Sequence, residues 1–335
     1  MAGLAQYILK RSIQGVITLL VVTVLVFVLF DAMPGSPIDR FRLDPTVDPA
    51  RLEQLNRTFG VNDPYPVRMG KFVVAMFTLN FGDSFVEGRP VSEVIAAAAP
   101  RTLFLFGGAV LIEYLIGVVV GTFIAWKRGR ISEGTVIVSS LFFYNMPSFW
   151  IGLILLWLFA FTFSIFPLHG FTNPEETARA LPFISGLGSG NPLFKLADLS
   201  YHAALPMIAL VLISSAGTIL LMQTSMLEVM GEDFILTARA KGLPERIVRR
   251  RHAARNAYLP VVTSLTISLA FVVGGAIILE SIFSYFGLGY YFLQSIFTQD
   301  QFLAGALLWI IAVLVISGNI VADILYGVLD PRVRL

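Results

Sequence analysis

Two acidic residues lie in otherwise apolar stretches of the chain, where a carboxylate could carry a proton or an ion. Glu113 sits near the middle of one long apolar run, and Asp323 sits near the end of another. A charged group inside a bilayer costs about 3 kcal/mol or more unless it faces a partner or water. We therefore expect both side chains to face the interior of a helix bundle. Glu113 either lines a solute path or is hydrogen-bonded between helices, and the lack of a relay of further carboxylates favours the second interpretation.

The sequence lacks the residue patterns of a catalytic site. It contains no G-x-x-x-x-G-K-[ST] loop for a nucleotide phosphate, no H-E-x-x-H and no G-x-S-x-G. With no cysteine in the chain, disulfides and thiolate metal sites are excluded. The three histidines, His169, His202 and His252, have no partners at metal-ligand or catalytic spacing, so hydrogen bonding in loops is their expected role. We expect this chain to bind no metal or cofactor and to hold no catalytic residue.

A charged stretch interrupts the apolar sequence between Leu227 and Tyr258. It holds seven Lys or Arg and four Asp or Glu, and long apolar runs flank it on both sides. Within it, the segment from Thr237 to Gly242 has strong helix formers followed by a glycine, where a helix C-terminus prefers a positive φ. The pattern predicts a short helix outside the bilayer, held between two membrane-spanning helices.

The composition is that of a polytopic, all-α membrane protein. Of the 335 residues, 56% are hydrophobic and 14% are charged, and the mean hydropathy is +0.78; in soluble domains about a quarter of residues are charged. The net charge of +2 gives no support to nucleic-acid binding. Six apolar runs are long enough to cross a hydrocarbon core of about 30 Å as helices. They are residues 13–30, 102–126, 135–166, 203–226, 261–279 and 302–328.

The connectors between these runs predict the topology. Basic residues concentrate in four of them, which alternate with three others along the chain. The positive-inside rule makes the basic set cytoplasmic, and long loops translocate regardless of their charge. The cytoplasmic set is 1–12, 127–134, 227–260 and 329–335, and the extracytoplasmic set is 31–101, 167–202 and 280–301. Both termini are thus expected in the cytoplasm, with the first run retained as a helix and not cleaved as a signal peptide.

Two local patterns modify the predicted spans. Gly117 and Gly121 have the small-xxx-small spacing of membrane helices that pack closely. Asn145 and Pro147 interrupt the third span, and proline bends or breaks a membrane helix where neighbours or a cavity satisfy the freed backbone groups. All four residues are therefore expected to shape the bundle interior.

Two further patterns lie in the predicted outer segments. Met69 to Leu79 is amphipathic to apolar but too short to span, which predicts a helix resting on the interface or against the bundle. Gly287 and Gly289 indicate a tight turn after the fifth span.

With these features in place, the chain closely resembles the inner-membrane permease subunits of the peptide, oligopeptide and nickel class of ABC importers. The strongest match is in the charged stretch, where Thr237–Leu243, Arg251–Ala257 and Leu259-Pro260 resemble the loop by which such permeases dock on their ATPases. Other matching segments lie along nearly the whole chain. They are Tyr7 to Arg11, Met33-Pro34-Gly35-Ser36-Pro37, Asn80-Phe81-Gly82-Asp83-Ser84, Gly88-Arg89-Pro90-Val91, Pro100-Arg101-Thr102-Leu103 and Leu329-Asp330-Pro331-Arg332.

The resemblance implies a permease that forms half of a translocation pathway in a prokaryotic inner membrane. Its implied partners are a second related permease, two ATPases that hold ATP and Mg²⁺, and an extracytoplasmic substrate-binding protein. The implied solute is a peptide, with an oligosaccharide or a nickel chelate as alternatives. The residues implied in ATPase coupling are Thr237, Ala238, Arg239, Ala240, Lys241, Gly242, His252, Arg255 and Asn256. The candidate pathway or intramembrane polar residues are Glu113, Asn145, Pro147 and Asp323.

Two alternatives to this interpretation stay open from the residues alone. The first is a secondary transporter driven by an ion gradient, with Glu113 and Asp323 as the coupling carboxylates. The second is an intramembrane enzyme, for which the sequence offers no motif. Arg239 and Lys241 are expected to contact either a partner protein or lipid headgroups.

Overall fold

The computed structural model describes residues 2–32, 63–271 and 277–329, and within these ranges the chain is helical, with one isolated β-bridge between Asp83 and Pro90. The all-α prediction is confirmed. In chain order the helices of the first half are α1 (Ala2–Asp31), α2 (Tyr65–Phe77), α3 (Val91–Trp126), α4 (Ile131–Tyr144), α5 (Ser148–Leu155), α6 (Pro174–Ala180) and α7 (Pro182–Ser185). Those of the second half are α8 (Pro192–Met230), α9 (Asp233–Ala240), α10 (Glu245–Ile247), α11 (Ala254–Phe271), α12 (Ile277–Ile282), α13 (Leu288–Phe297) and α14 (Gln301–Leu329).

Four of the described helices are long and apolar enough to cross a membrane, and the bent pair α4–α5 makes up to five. The four are Gln6–Asp31, Val91–Trp126, Pro192–Met230 and Gln301–Val321. The predicted fifth span, 261–279, falls on α11, on α12 and on the undescribed residues between them. The count of six spans therefore stays a prediction. The matching segment at Met33–Pro37 and the last matching residues, from Asp330 on, also lie outside the described residues.

Helices α3 and α8 extend well beyond the predicted spans. They have 36 and 39 residues. Each begins in a segment predicted as an outer loop and continues as one helix through its predicted span. Gly121 allows their close crossing, because a Cβ there would lie 2.6 Å from the backbone oxygen of Ile219. At Gly117 a Cβ would clash with the side chain of Thr218. The predicted close-packing role of the two glycines is confirmed.

The third predicted span is broken, as Pro147 predicts. Helix α4 ends at Tyr144, α5 begins at Ser148, and the two axes differ by 100°. Pro147 is the N-cap residue directly before α5, where an N–H would have no partner within the helix. A π-helical segment, Leu156–Thr162, extends α5. The bent pair packs against α8 and α12 through an apolar cluster that includes Ile151, Leu155, Leu205, Ala209 and Leu279.

Helix α2 corresponds to the predicted amphipathic helix at Met69–Leu79, and it lies against the bundle. Its Phe72 ring lies 5.7 Å from Phe27 of α1, and its Phe77 ring lies 5.8 Å from Trp309 of α14. The Arg68 guanidinium also forms an ion pair of 2.7 Å with Asp31 at the end of α1. Helices α1, α2 and α14 therefore form one packed unit at this end of the protein.

Candidate functional site

The short helix predicted in the charged stretch is α9, which follows α8 after a turn at Gly231 and Glu232. It ends where the sequence predicts, because Gly242 has a φ of +72° and its N–H donates to the carbonyl oxygen of Arg239 at 2.9 Å. The next N–H, of Leu243, reaches back to Ala238 at 3.4 Å. Helix α9 is thus a short helix with a defined C-terminal cap.

One face of α9 is seated firmly on the rest of the chain. Ile235 and Ala238, three residues apart, are buried, and they belong to one apolar cluster with Met222 and Met226 of α8 and Val248. Helix α9 is therefore packed against the C-terminal end of α8.

Two large apolar side chains of α9 are exposed, one on each side of the buried Ile235. Phe234 is 40% exposed and Leu236 is 57% exposed, although both lie in the charged part of the chain outside the predicted spans. Neither residue is among those predicted from the sequence to act in coupling. The signal was present, since large apolar residues in a short polar helix are typical of a protein contact.

Arg239 is engaged within the chain. Its Nε donates to Glu245 Oε1 at 2.9 Å, and its guanidinium carbon lies 5.8 Å from the centre of the Trp126 ring at the end of α3. Arg249 lies over the same ring at 5.8 Å. The prediction that Arg239 contacts a partner or lipid must therefore allow for these contacts within the chain. Lys241, in contrast, is exposed and makes no ion pair among the described residues.

The structure brings the second group of predicted coupling residues beside α9. His252 lies in a π-helical segment, Val248–Ala253, and the Nδ2 of Asn256 donates to its backbone oxygen at 3.0 Å. Arg255 is exposed on the same stretch. Val248 and Ala253 of this segment pack in the cluster that also holds Ile235. The segment that carries His252 thus packs against α9, and the role of the predicted coupling residues stays a prediction.

The intramembrane polar residues have partners. Thr218 Oγ1 of α8 donates to Glu113 Oε1 of α3 at 2.6 Å, which matches the interpretation of Glu113 as a hydrogen-bonded residue between helices. Asp323 pairs with Arg11 of α1 at 3.2 Å. At the break in the third span, Asn145 Nδ2 donates to the carbonyl oxygen of Leu141 at 2.7 Å. These three residues lie on three different parts of the fold, and of the three only Glu113 bridges the α3–α8 pair.

A buried carboxylate at the predicted outer turn was missed by sequence reasoning. Glu280 is fully buried; its Oε1 accepts from Thr102 Oγ1 at 2.7 Å and its Oε2 from the N–H of Tyr290 at 2.9 Å. A Cβ at Gly287 would lie 2.5 Å from Glu280 Oε2. A glycine at position 287 therefore allows the backbone to approach the Glu280 carboxylate closely. The positive φ angles of this turn are at Ser284 and Phe286.

A second buried polar pair was also missed. His202 lies within α8 and not in a loop, and its Nδ1 lies 3.1 Å from Asp198 Oδ1. Asp198 also accepts from Thr177 Oγ1 at 2.6 Å, which fixes α6 to the start of α8. The loop prediction for His202 is wrong because α8 begins earlier than its apolar core. Over the described ranges, no three His, Cys, Asp or Glu side chains are placed to share a metal ion.

Comparisons with known proteins agree with this arrangement. The family described as binding-protein-dependent transport system inner membrane component matches residues 117–335, and its N-terminal companion matches residues 4–106. The oligopeptide transport system permease protein AppB of Bacillus subtilis is 35% identical over 332 residues, covering 99% of this chain and 100% of that protein.

Other relatives are similar over the same extent. The dipeptide transport system permease protein DppB of Escherichia coli is 32% identical over 343 residues, covering 98% of each chain. A putative peptide transport system permease protein of Brucella abortus is 32% identical over 327 residues, again covering 98% of each. The chain belongs to the family of binding-protein-dependent transport inner-membrane components, and it is a multi-pass membrane permease of the ABC importer type.

Proposed function

We propose that this permease forms half of the translocation pathway of an ATP-driven peptide importer and receives the motion of partner ATPases through α9. The observation that carries the proposal is that α9 is buried on one side against α8 while large apolar side chains on its flanks are exposed. Ile235 and Ala238 anchor it to α8, while Phe234 and Leu236 face outward without cover from the described part of the chain. A helix arranged in this way transmits a push from a partner protein to a membrane span.

The energy source lies in partner subunits. The sequence has no phosphate-binding loop, so ATP and Mg²⁺ belong to two ATPases on the cytoplasmic side. A second permease completes the pathway, and an extracytoplasmic binding protein delivers the solute. Both termini face the cytoplasm in this arrangement, as the basic connectors indicate.

The contacts described above support a mechanical route from α9 to the outer face. Helix α9 is fixed to α8 by Ile235, and α8 is fixed to α3 by the close crossing at Gly121 and by the hydrogen bond from Thr218 to Glu113. At the outer end, Thr102 of α3 holds the turn before α13 through Glu280. Closure of the ATPases would move this unit as one body, which fits a rocking, alternating-access cycle.

The proposed solute is a peptide. AppB and DppB are named as oligopeptide and dipeptide permeases, and both match this chain over its full length. An oligosaccharide or a nickel chelate is the alternative that the experiment must test. The ion-driven alternative has less support, because Glu113 and Asp323 each have a partner and lie on different helix pairs.

The test is uptake by the complex reconstituted into liposomes with its ATPases and binding protein. We expect uptake of a labelled oligopeptide that requires ATP, and its loss in Leu236→Arg without loss of the inserted subunit. Ile131→Arg is the matched control, since Ile131 is an exposed apolar residue near another cytoplasmic connector. Uptake driven by an ion gradient with the permease alone would refute the proposal.

A further inference from the structure

The break between α4 and α5 forms a distinct surface, residues 144–150, which we call the elbow. The backbone turns by 100° there, and the Asn145 side chain caps α4 by donating to the Leu141 oxygen at 2.7 Å. The backbone N–H of Asn145 donates to the same oxygen at 3.1 Å. The side chain and the backbone of Asn145 therefore both stabilise the end of α4 at the break.

The elbow lies at membrane depth. Near the start of α4, Glu133 accepts from Gln223 Nε2 at 2.6 Å, close to the cytoplasmic end of α8. Asn145 follows Glu133 by three helical turns, a rise of about 18 Å, in a hydrocarbon core of about 30 Å. On the far side, Tyr201 Oη donates to the oxygen of Ile165 at 2.9 Å, near the outer start of α8. With α4 entering the bilayer from the cytoplasmic side, as the proposed topology has it, the elbow would lie inside the bilayer and away from both surfaces.

Several side chains of the elbow are nevertheless exposed. Tyr144 is 57% exposed, Phe149 is 46% exposed and Trp150 is 45% exposed, and Asn145 and Pro147 are exposed beside them. Interrupted backbone is not tolerated against lipid tails, where no group can satisfy the freed N–H and C=O groups. Such a break occurs where it is buried by protein or lines a water-filled cavity. The exposed residues of the elbow therefore do not face lipid.

We propose that the elbow is part of the wall of the solute pathway and contacts the solute with the aromatic faces of Tyr144, Phe149 and Trp150 and the amide of Asn145. The inference rests on the proposed function and adds to it the residues that meet the solute. The stretch 135–166 contains no charged residue. A surface of aromatic rings with one neutral amide binds a chain of amides and mixed side chains without selecting their charge, which suits peptides of varied sequence.

The cysteine-free sequence allows a direct test of water access. Asn145→Cys and Trp150→Cys are placed singly in the reconstituted complex and treated with a charged, membrane-impermeant thiol reagent. We expect labelling in at least one nucleotide state, and protection by an excess of tripeptide. Leu25→Cys, an exposed position on the peripheral helix α1, is the negative control, and Ser189→Cys in the outer segment is the positive control.

Two results would overturn the assignment of the elbow to the pathway, and a third would overturn the peptide class. One is the absence of labelling at the elbow in every state while Ser189→Cys reacts. The other is labelling in the isolated subunit that disappears in all states of the complex, which would assign the elbow to the contact with the second permease. Protection by an oligosaccharide but not by a tripeptide would overturn the peptide class. Labelling does not depend on ATP-driven uptake, so failure here and failure of the proposed function are distinguishable.

Transport kinetics give an independent measurement. We expect Trp150→Ala to raise the KM for peptide uptake by about 3- to 10-fold, the effect of losing one aromatic contact, while Trp150→Phe retains most of the affinity. Trp157→Ala is the matched control, because Trp157 is 62% exposed but lies beyond the elbow. An equal change in KM in both alanine variants would refute a specific contact at the elbow.

Discussion

The guanidinium of Arg239 in α9 lies 5.8 Å from the centre of the Trp126 ring, which ends α3. Arg249 lies at the same distance from this ring, so the indole connects the proposed coupling helix, the segment after it and a membrane span. A cation–π contact at an exposed site contributes about 0.5–1 kcal/mol. The arrangement gives α9 a contact with α3 in addition to its seat on α8.

Replacement of Trp126 should weaken coupling more than assembly. We expect Trp126→Leu to lower the peptide transported per ATP hydrolysed several-fold, because α9 loses its contact with α3. Trp126→Phe keeps an aromatic face and should retain most of the coupling. Simultaneous measurement of uptake and phosphate release checks this, and equal coupling ratios in the two variants would contradict it.

Replacement of Gly242, which ends α9, should also reduce ATP-dependent uptake. A non-glycine residue in the left-handed region costs about 1–2 kcal/mol, so Gly242→Val should loosen the end of α9 and reduce ATP-dependent uptake. Gly129→Val is the matched control, because Gly129 has a φ of +79° in the connector between α3 and α4. Comparable loss of uptake in both variants, at equal amounts of inserted protein, would argue against a special role of α9.

The crossing of α3 and α8 should be a determinant of stability. Gly121→Ala places a Cβ against the Ile219 backbone oxygen, and overpacking of this kind costs about 1–3 kcal/mol. Gly107→Ala on the same helix meets no atom within 4 Å and should leave the midpoint of thermal unfolding in detergent unchanged. An unchanged midpoint for Gly121→Ala would show that the helices can separate at no cost.

Glu113 should not be a coupling carboxylate. Glu113→Gln keeps a group that can accept from Thr218, so ATP-dependent uptake should be nearly normal, while Glu113→Leu should lower stability by leaving the Thr218 hydroxyl unpaired. Thr218→Val in the same background should recover part of that loss. Abolished uptake in Glu113→Gln, with normal folding, would favour an ion-coupled mechanism.

The buried carboxylate of Glu280 should hold the outer turn. Glu280→Ala leaves the Tyr290 N–H and the Thr102 hydroxyl without their partner, and an unpaired buried group costs about 1–3 kcal/mol each. We expect faster proteolysis between α12 and α13 from the outer side. Glu175→Ala, an exposed acidic position in α6, is the control and should leave the cleavage rate unchanged.

The sequence predicts those features that depend on local pattern. Membrane class, the helix ending at Gly242, the break at Pro147 and the close packing at Gly121 all follow from residue type and spacing. The N-terminal extensions of α3 and α8 were not predicted, because hydropathy locates the hydrocarbon core and not the helix end.

The remaining contacts depend on residues far apart in the chain. The partners of Glu280 and Trp126 come from other helices, and neither residue belongs to a recognisable motif. The outward-facing Phe234 and Leu236 could have been selected from sequence, since a short charged helix has no internal need of two large apolar side chains.

The lengths of α3 and α8 have a geometric consequence for the whole protein. At 1.5 Å per residue, the 39 residues of α8 extend about 58 Å, nearly twice the thickness of the hydrocarbon core. A rotation of about 5° around its C-terminal end would carry the N-terminal end sideways by about 5 Å. A small displacement of α8 beside α9 would thus become a larger displacement at the other end of α8. The stiffness of the two long helices α3 and α8 would set how large that displacement is.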